Sequence, residues 1–213
     1  MSELVVLDAI EQRILGVLME KEKTVPETYP MTVNGIMTAC NQKSARNPVM
    51  NLDEALVKIG IDGLRGKGLV NTASGGTSRT VKYKHNATGS LDIGLNEEAV
   101  VCLLLLRGHL TAGEVKSNSG RLYDFSSLES VQNCMHELAE RGTPLIQLLP
   151  KKPGQKEARY THCLGGEIDW DALVEEENEV ITPVSNYEKR LSDLEQEVAD
   201  LKEKMARLSD LLD

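Results

Sequence analysis

Aromatic residues are scarce in this chain: five tyrosines, Trp170 and Phe125 amount to 3% of 213 residues. Proteins that hold single-stranded nucleic acid stack bases on aromatic platforms, so that class is excluded and duplex DNA is the remaining nucleic-acid option. Cysteine is sparse as well. Cys40, Cys102, Cys134 and Cys163 have neither the density of a disulfide framework nor the paired spacing of a zinc site. The longest apolar run, Ala99 to Leu106, is far short of the roughly 18 residues a membrane helix needs. Met1-Ser2-Glu3-Leu4 carries no basic segment of a secretory signal. A reducing cytoplasm is expected, with no membrane contact.

Catalytic signatures are missing too. There is no G-x-S-x-G elbow and no H-E-x-x-H, and the four histidines are scattered. Gly66-Lys67-Gly68 and Gly75-Gly76 fit no phosphate-binding loop; they suit a helix end and a hairpin tip. Cys134-Met-His136 and His162-Cys163 each place two ligand types together, but zinc needs about four convergent ligands. No carboxylate is expected in an apolar surround that would raise its pKa. The sequence therefore predicts neither an enzyme nor a cofactor or metal centre.

Negative charge is abundant but unevenly placed. Residues 1–90 carry a net +2, residues 91–164 a net −1 and residues 165–213 a net −10. An acidic total argues against phosphate contact, but here the acidity belongs to the C-terminal quarter.

Asp8 with Glu11 reads as a capping box. Ile10, Ile14, Val17 and Leu18 follow at helical spacing to about Lys21. A second helix is predicted from Thr32 to Cys40. After a polar linker ending at Pro48, a third starts near Asn51, with Leu52, Leu56, Ile59 or Ile61, and Leu64 facing inward. Leu69–Thr72 and Thr80–Lys84 have strand character around a Gly-rich tip. The order then repeats: helices from Asn96, from Thr111 and from Ser126, the last with Glu129 in a capping box, then Leu145–Leu149 and Ala158–Leu164. Leu64, Lys67 and Gly68 match Leu138, Arg141 and Gly142 at one constant offset, the mark of a duplicated module. The predicted class is mainly α with small β-hairpins (α+β): two tandem winged helix-turn-helix domains, 1–90 and 91–164, an acidic linker 165–183, and a C-terminal coiled-coil helix 184–213. Tyr187, Leu191, Leu194, Val198, Leu201, Met205, Leu208 and Leu212 form the heptad seam. It predicts a homodimer, with parallel, antiparallel and intrachain packing all open.

The stretch Asn41-Gln-Lys-Ser-Ala-Arg-Asn-Pro-Val-Met50, followed by Leu64-Arg-Gly-Lys-Gly-Leu69, resembles the YceH-like family of bacterial proteins with two winged-helix domains. The likeness covers roughly residues 5–168 and includes Leu95-Asn-Glu-Glu98, Leu104-Leu-Leu-Arg107 and Gly113-Glu-Val115. Asn47 departs from the acidic residue expected before Pro48. The resemblance implies the fold and a bacterial cytoplasmic setting, and assigns no catalytic residue.

Two functions are compatible with this plan. In the first, a transcription-regulator type of protein presents Lys43, Ser44, Arg46, Asn47 and Asn51 ahead of the third helix, Lys58 on it, and Arg79, Lys82 and Lys84 on the wing to duplex DNA. Lys151, Lys152, Lys156 and Arg159 would form a second basic wing. Against it, the helix also exposes Asp53, Glu54 and Asp62. In the second, the chain is a protein-interaction or scaffold module, resembling in outline the bacterial segregation and condensation protein B, a partner of chromosome-organising complexes.

Overall fold

In the computed structural model, which describes residues 4–73, 80–151 and 155–166, Asp8 caps the first helix in the way its sequence predicts. Its carboxylate accepts from the N–H groups of Ile10 and Glu11, and Glu11 accepts from the N–H of Asp8. Helix α1 spans Ala9–Thr24, three residues past the predicted end, with Lys21 and Lys23 near the negative pole of the helix dipole. Helix α2 spans Val33–Cys40, capped by Thr32, and α3 spans Glu54–Gly66. The cap of α3 is Asp53, whose carboxylate accepts from Leu56 N–H at 2.8 Å. Asn51 therefore lies in the loop, two residues outside the cap. Strands β1 (Val70–Ala73) and β2 (Lys82–His85) pair antiparallel, with Val70 opposite His85.

A five-residue helix, α4 (Ala87–Leu91), joins the two halves and was not anticipated. Then come α5 (Leu95–Arg107), α6 (Ala112–Ser119) and α7 (Leu128–Glu140), and the antiparallel pair β3 (Ile146–Leu148) and β4 (Tyr160–His162). Helix α7 is capped by Ser127, reciprocally with Ser130, rather than by Ser126 with Glu129. The described chain is thus mainly helical with two small antiparallel hairpins.

The repeat goes further than the sequence shows. Met31, two residues before α2, bridges Tyr83, and Leu110, two before α6, bridges Tyr160. In each half the strand just ahead of the second helix borders the hairpin. The cation ending each third helix bonds to an acceptor on another element. Lys67 pairs with Glu11, and Arg141 donates to the carbonyls of Leu91 and Asp92.

The halves share one apolar core and fall in one compact unit, Met1–Ile168. Ala99 to Leu106 are all buried, because α5 faces its own module on one side and α1 on the other. At Gly16, a Cβ would stand 2.9 Å from Leu106 and 3.1 Å from Leu105, so the helices touch backbone to side chain. Cys102 donates its thiol to the Gly16 carbonyl there. Leu7 N–H donates to Leu164 O at 2.7 Å, and Asn47 N–H to Leu106 O at 2.8 Å. Among the described residues no helix is long and apolar enough to cross a membrane.

Candidate functional site

The linker string of residues 41–50 is wired inward. Asn41 donates its amide to Leu52 O and accepts from Leu52 N–H, both at 2.8 Å. Arg13, 1% exposed, donates to Cys40 O at 3.2 Å and Pro48 O at 2.6 Å. Arg46, with a fully buried side chain, donates to both carboxylate oxygens of Glu20, at 3.1 and 2.7 Å, and to Gln42 and Ala39 O. Such a bidentate pair is strong and directional. Arg46 is thus removed from the phosphate-facing set: its guanidinium is spent on α1 and the end of α2. Lys43, Ser44 and Asn47 remain exposed, as does Asn51.

Helix α3 presents a face that the sequence left ambiguous between Ile59 and Ile61. Ile61 is buried, whereas Ile59 is 67% exposed and Leu56, expected inside, is 38% exposed. Val49 before the helix and Val81 at the mouth of the hairpin are exposed too. The charges on α3 cancel along its own surface: Lys58 pairs with Glu54 at 2.6 Å and Arg65 with Asp62 at 3.0 Å. The Glu54 hydrogen bond raises the Lys58 pKa, with both side chains left well exposed. On the hairpin Lys84 is exposed and Lys82 half-buried; Arg79 lies outside the described residues.

In the second module Lys151 and Lys156 are exposed, and Lys152 is outside the described residues. Arg159 is a further correction to the basic wing. It grips both oxygens of Glu114, at 2.9 and 3.1 Å, and donates to His109 O. Burial would raise the Glu114 carboxyl, but the Thr111 N–H and Arg159 together hold it below its usual range. At the position of α7 equivalent to Ile59 stands Asn133, exposed and polar, so an exposed apolar centre at that position belongs to the first module, whereas the exposed apolar residue of α7 is Leu128 at its first turn. The seam residues Tyr187, Leu191, Leu194, Val198, Leu201, Met205, Leu208 and Leu212 all lie outside the described residues.

One constellation is absent from the sequence reading. Glu22 near the end of α1, His85 ending β2 and Glu98 on α5 converge, with one ligand atom from each mutually within 4.8 Å. His85 Nε2 is 3.2 Å from Glu22 Oε2 and 3.3 Å from Glu98 Oε1. Glu98 is 2% exposed at the head of the apolar run of α5, a burial of a carboxylate that no sequence motif signals. Separations of 63 and 13 residues hide the cluster from any local motif. The only sequence signal is a glutamate placed one position before Ala99–Leu106. Elsewhere, burial pushes the Cys40 and Cys134 thiols up to about 12, leaving them protonated packing groups. Burial, with His109 adding to it, holds the His162 imidazole down to about 4.

The family model described as "Protein of unknown function, DUF480" matches residues 7–155. A UPF0502 protein of Pelobacter propionicus is 43% identical over 211 residues, covering 98% of this chain and 95% of its own. One from Shewanella loihica is 43% identical over 209 residues, 95% and 97% of the two chains. One from Opitutus terrae is 45% identical over 164 residues, 76% and 71%. The likeness spans both modules, the wired linker included, and the chain belongs to this UPF0502/DUF480 family, the YceH-like proteins of bacteria.

Proposed function

We propose that the chain is a non-catalytic, cytoplasmic protein-interaction module. In this reading each set of three helices and a hairpin is a winged helix-turn-helix, and the exposed face of α3 in the first module receives a protein partner. The observation that carries it is Ile59, two-thirds exposed on a helix whose cations are already paired. A helix that inserts into DNA needs uncompensated cations or amides at its surface. Here a phosphate backbone would meet Asp53, Glu54 and Asp62 and would have to break the Lys58–Glu54 contact. A protein partner meets a neutral apolar centre with a polar rim, the anatomy of a small interaction hot spot. Self-association through 184–213, read from the heptad pattern, would present two such faces.

Duplex-DNA binding is the second reading, favoured by the exposed Lys43, Ser44, Asn47 and Asn51 ahead of α3 and by Lys84 on the hairpin. A salt titration with random duplex DNA, read by fluorescence anisotropy on the full-length chain, separates the two. The interaction module gives no measurable duplex affinity at near-physiological salt. Ile59→Asp leaves its melting temperature within about 1–2 °C, since a surface change is worth under about 0.5 kcal/mol. The same variant loses the partners that wild type and the surface control His136→Ala both capture. Steeply salt-dependent duplex binding that Lys43→Ala weakens would transfer the face to DNA.

A further inference from the structure

We infer that Glu22, His85 and Glu98 form a binding site for one divalent transition-metal ion of the Zn²⁺ class, pinning the base of the first hairpin to α1 and α5. Metal–oxygen and metal–nitrogen bonds of about 2.0–2.2 Å place tetrahedral ligands roughly 3.3–3.6 Å apart. His85 Nε2 stands 3.2 Å from the Glu22 oxygen and 3.3 Å from the Glu98 oxygen. Two carboxylates and an imidazole are a borderline-hard set that suits Zn²⁺ and accepts Mn²⁺.

The second, independent observation is Glu98 itself. Its side chain is 97% buried (3% exposed), and neither carboxylate oxygen has a hydrogen-bond partner. A desolvated carboxylate whose oxygens have only a 3.5 Å ammonium contact and a 3.3 Å imidazole contact is costly, and a bound ion would satisfy both. Lys23 supplies part of the counter-charge, at 2.9 Å from Glu22 Oε2 and 3.5 Å from Glu98 Oε2. Two carboxylates and an imidazole thus converge on a single ammonium, with His85 and Glu98 both 3% exposed. Lys23 is 27% exposed and Glu22 35%, so the ammonium has room to swing into solvent as an ion enters from that side.

The His85 ring carries the cost and the marker of this event. Ala87 N–H donates to Nδ1 at 3.3 Å, a long contact, which assigns the ring proton to Nε2. Coordination through the Nε2 lone pair moves that proton to Nδ1 and gives up the Ala87 contact. A plain buried ion-pair network has the same residues but predicts none of this.

The test titrates chelator-stripped full-length protein with ZnCl₂ in a calorimeter, with MnCl₂ in parallel and MgCl₂ as the hard-cation control. One ion per chain is expected for Zn²⁺, weaker binding for Mn²⁺ and none for Mg²⁺. Glu98→Gln and His85→Ala each weaken Zn²⁺ at least about tenfold, the scale on which even outer contacts of a metal site act. Both of those residues are buried, so Glu22→Gln, at the exposed rim, is the variant that keeps the result interpretable if they fail to fold. Lys23→Met has the opposite sign: it removes a competing cation, tightens Zn²⁺, lowers the melting temperature without metal and regains it when Zn²⁺ is added. Nitrogen-15 NMR reads the Nε2-to-Nδ1 proton shift of His85 directly. Binding unchanged in Glu22→Gln, Zn²⁺ that leaves Lys23→Met no more stable, or no one-to-one binding at all would each overturn the site and leave an ion-pair network.

Discussion

Arg46→Ala destabilises the chain by about 3–5 kcal/mol, the cost of breaking a buried pair and stranding its partner. At roughly 2–4 °C per kcal/mol for a chain of this size, the melting temperature falls by roughly 6–20 °C. The guanidinium fills a site with no solvent access, reaching both oxygens of Glu20 and the carbonyl of Ala39. Its removal leaves Glu20, 17% exposed, with Lys21 at 2.9 Å as its main cation. Arg46→Lys does not restore the fold, because one ammonium cannot reproduce a bidentate fork. The pair also sets an acid limit. Burial alone would raise the Glu20 carboxyl, but hydrogen bonds from Arg46 and Lys21 outweigh it and hold the pKa below the usual glutamate value. The unfolded chain is then protonated first as pH falls. This contribution is full above the ordinary glutamate pKa and is lost as pH drops through that value to the lowered one. Urea melts of wild type and Arg46→Ala at about pH 7 and about pH 3 show the gap closing on the acid side. A variant as stable as wild type at neutral pH would mean that Arg46 is a surface cation after all.

The same residue marks what sequence reading reaches. Caps, helix periods and the constant offset between the third helices are local, and they yielded the neighbourhoods of six helices, α1, α2, α3 and α5–α7, and of both hairpins. Ends shifted where two caps competed, as at Asn51 against Asp53 and Ser126 against Ser127, since each offers a side-chain oxygen to a free N–H. The strands at Met31 and Leu110 escaped because a single bridged residue has no period to detect. For the site, Lys43 and Arg46 look alike in a polar string. Only tertiary structure decides that one faces water and the other Glu20, 26 residues away. Ile59 and Ile61 are likewise two residues apart on a helix of uncertain phase, and the choice between them fixes whether α3 shows an apolar face. Glu22, His85 and Glu98 come from three elements, and no spacing rule joins them.

Gly16→Ala lowers stability by about 1–3 kcal/mol, the usual cost of overpacking a filled core, while Gly66→Ala raises it by about 0.5–1 kcal/mol. Both glycines are helical, and propensity alone favours alanine at each by about 1 kcal/mol. Their surroundings differ. A Cβ at Gly66 meets nothing within 4 Å, whereas at Gly16 it stands 2.9 Å from the Leu106 side chain and 3.1 Å from Leu105 Cβ. Leu106 is 2% exposed and Leu105 5%, so neither has free space to retreat into, and a Cβ cannot rotate away as a side-chain end can. The strain falls on the α1–α5 seam, the contact that makes two repeated modules one folding unit. Thermal melts of the two single variants, followed by circular dichroism, give opposite shifts if that seam is as tight as the geometry requires. A stabilised Gly16→Ala would mean that α1 and α5 yield easily, and that the face at Ile59 sits on a module able to move against the second. A destabilised one keeps that face fixed relative to α5, so that a partner meets a preorganised surface and spends little of its binding energy on ordering it.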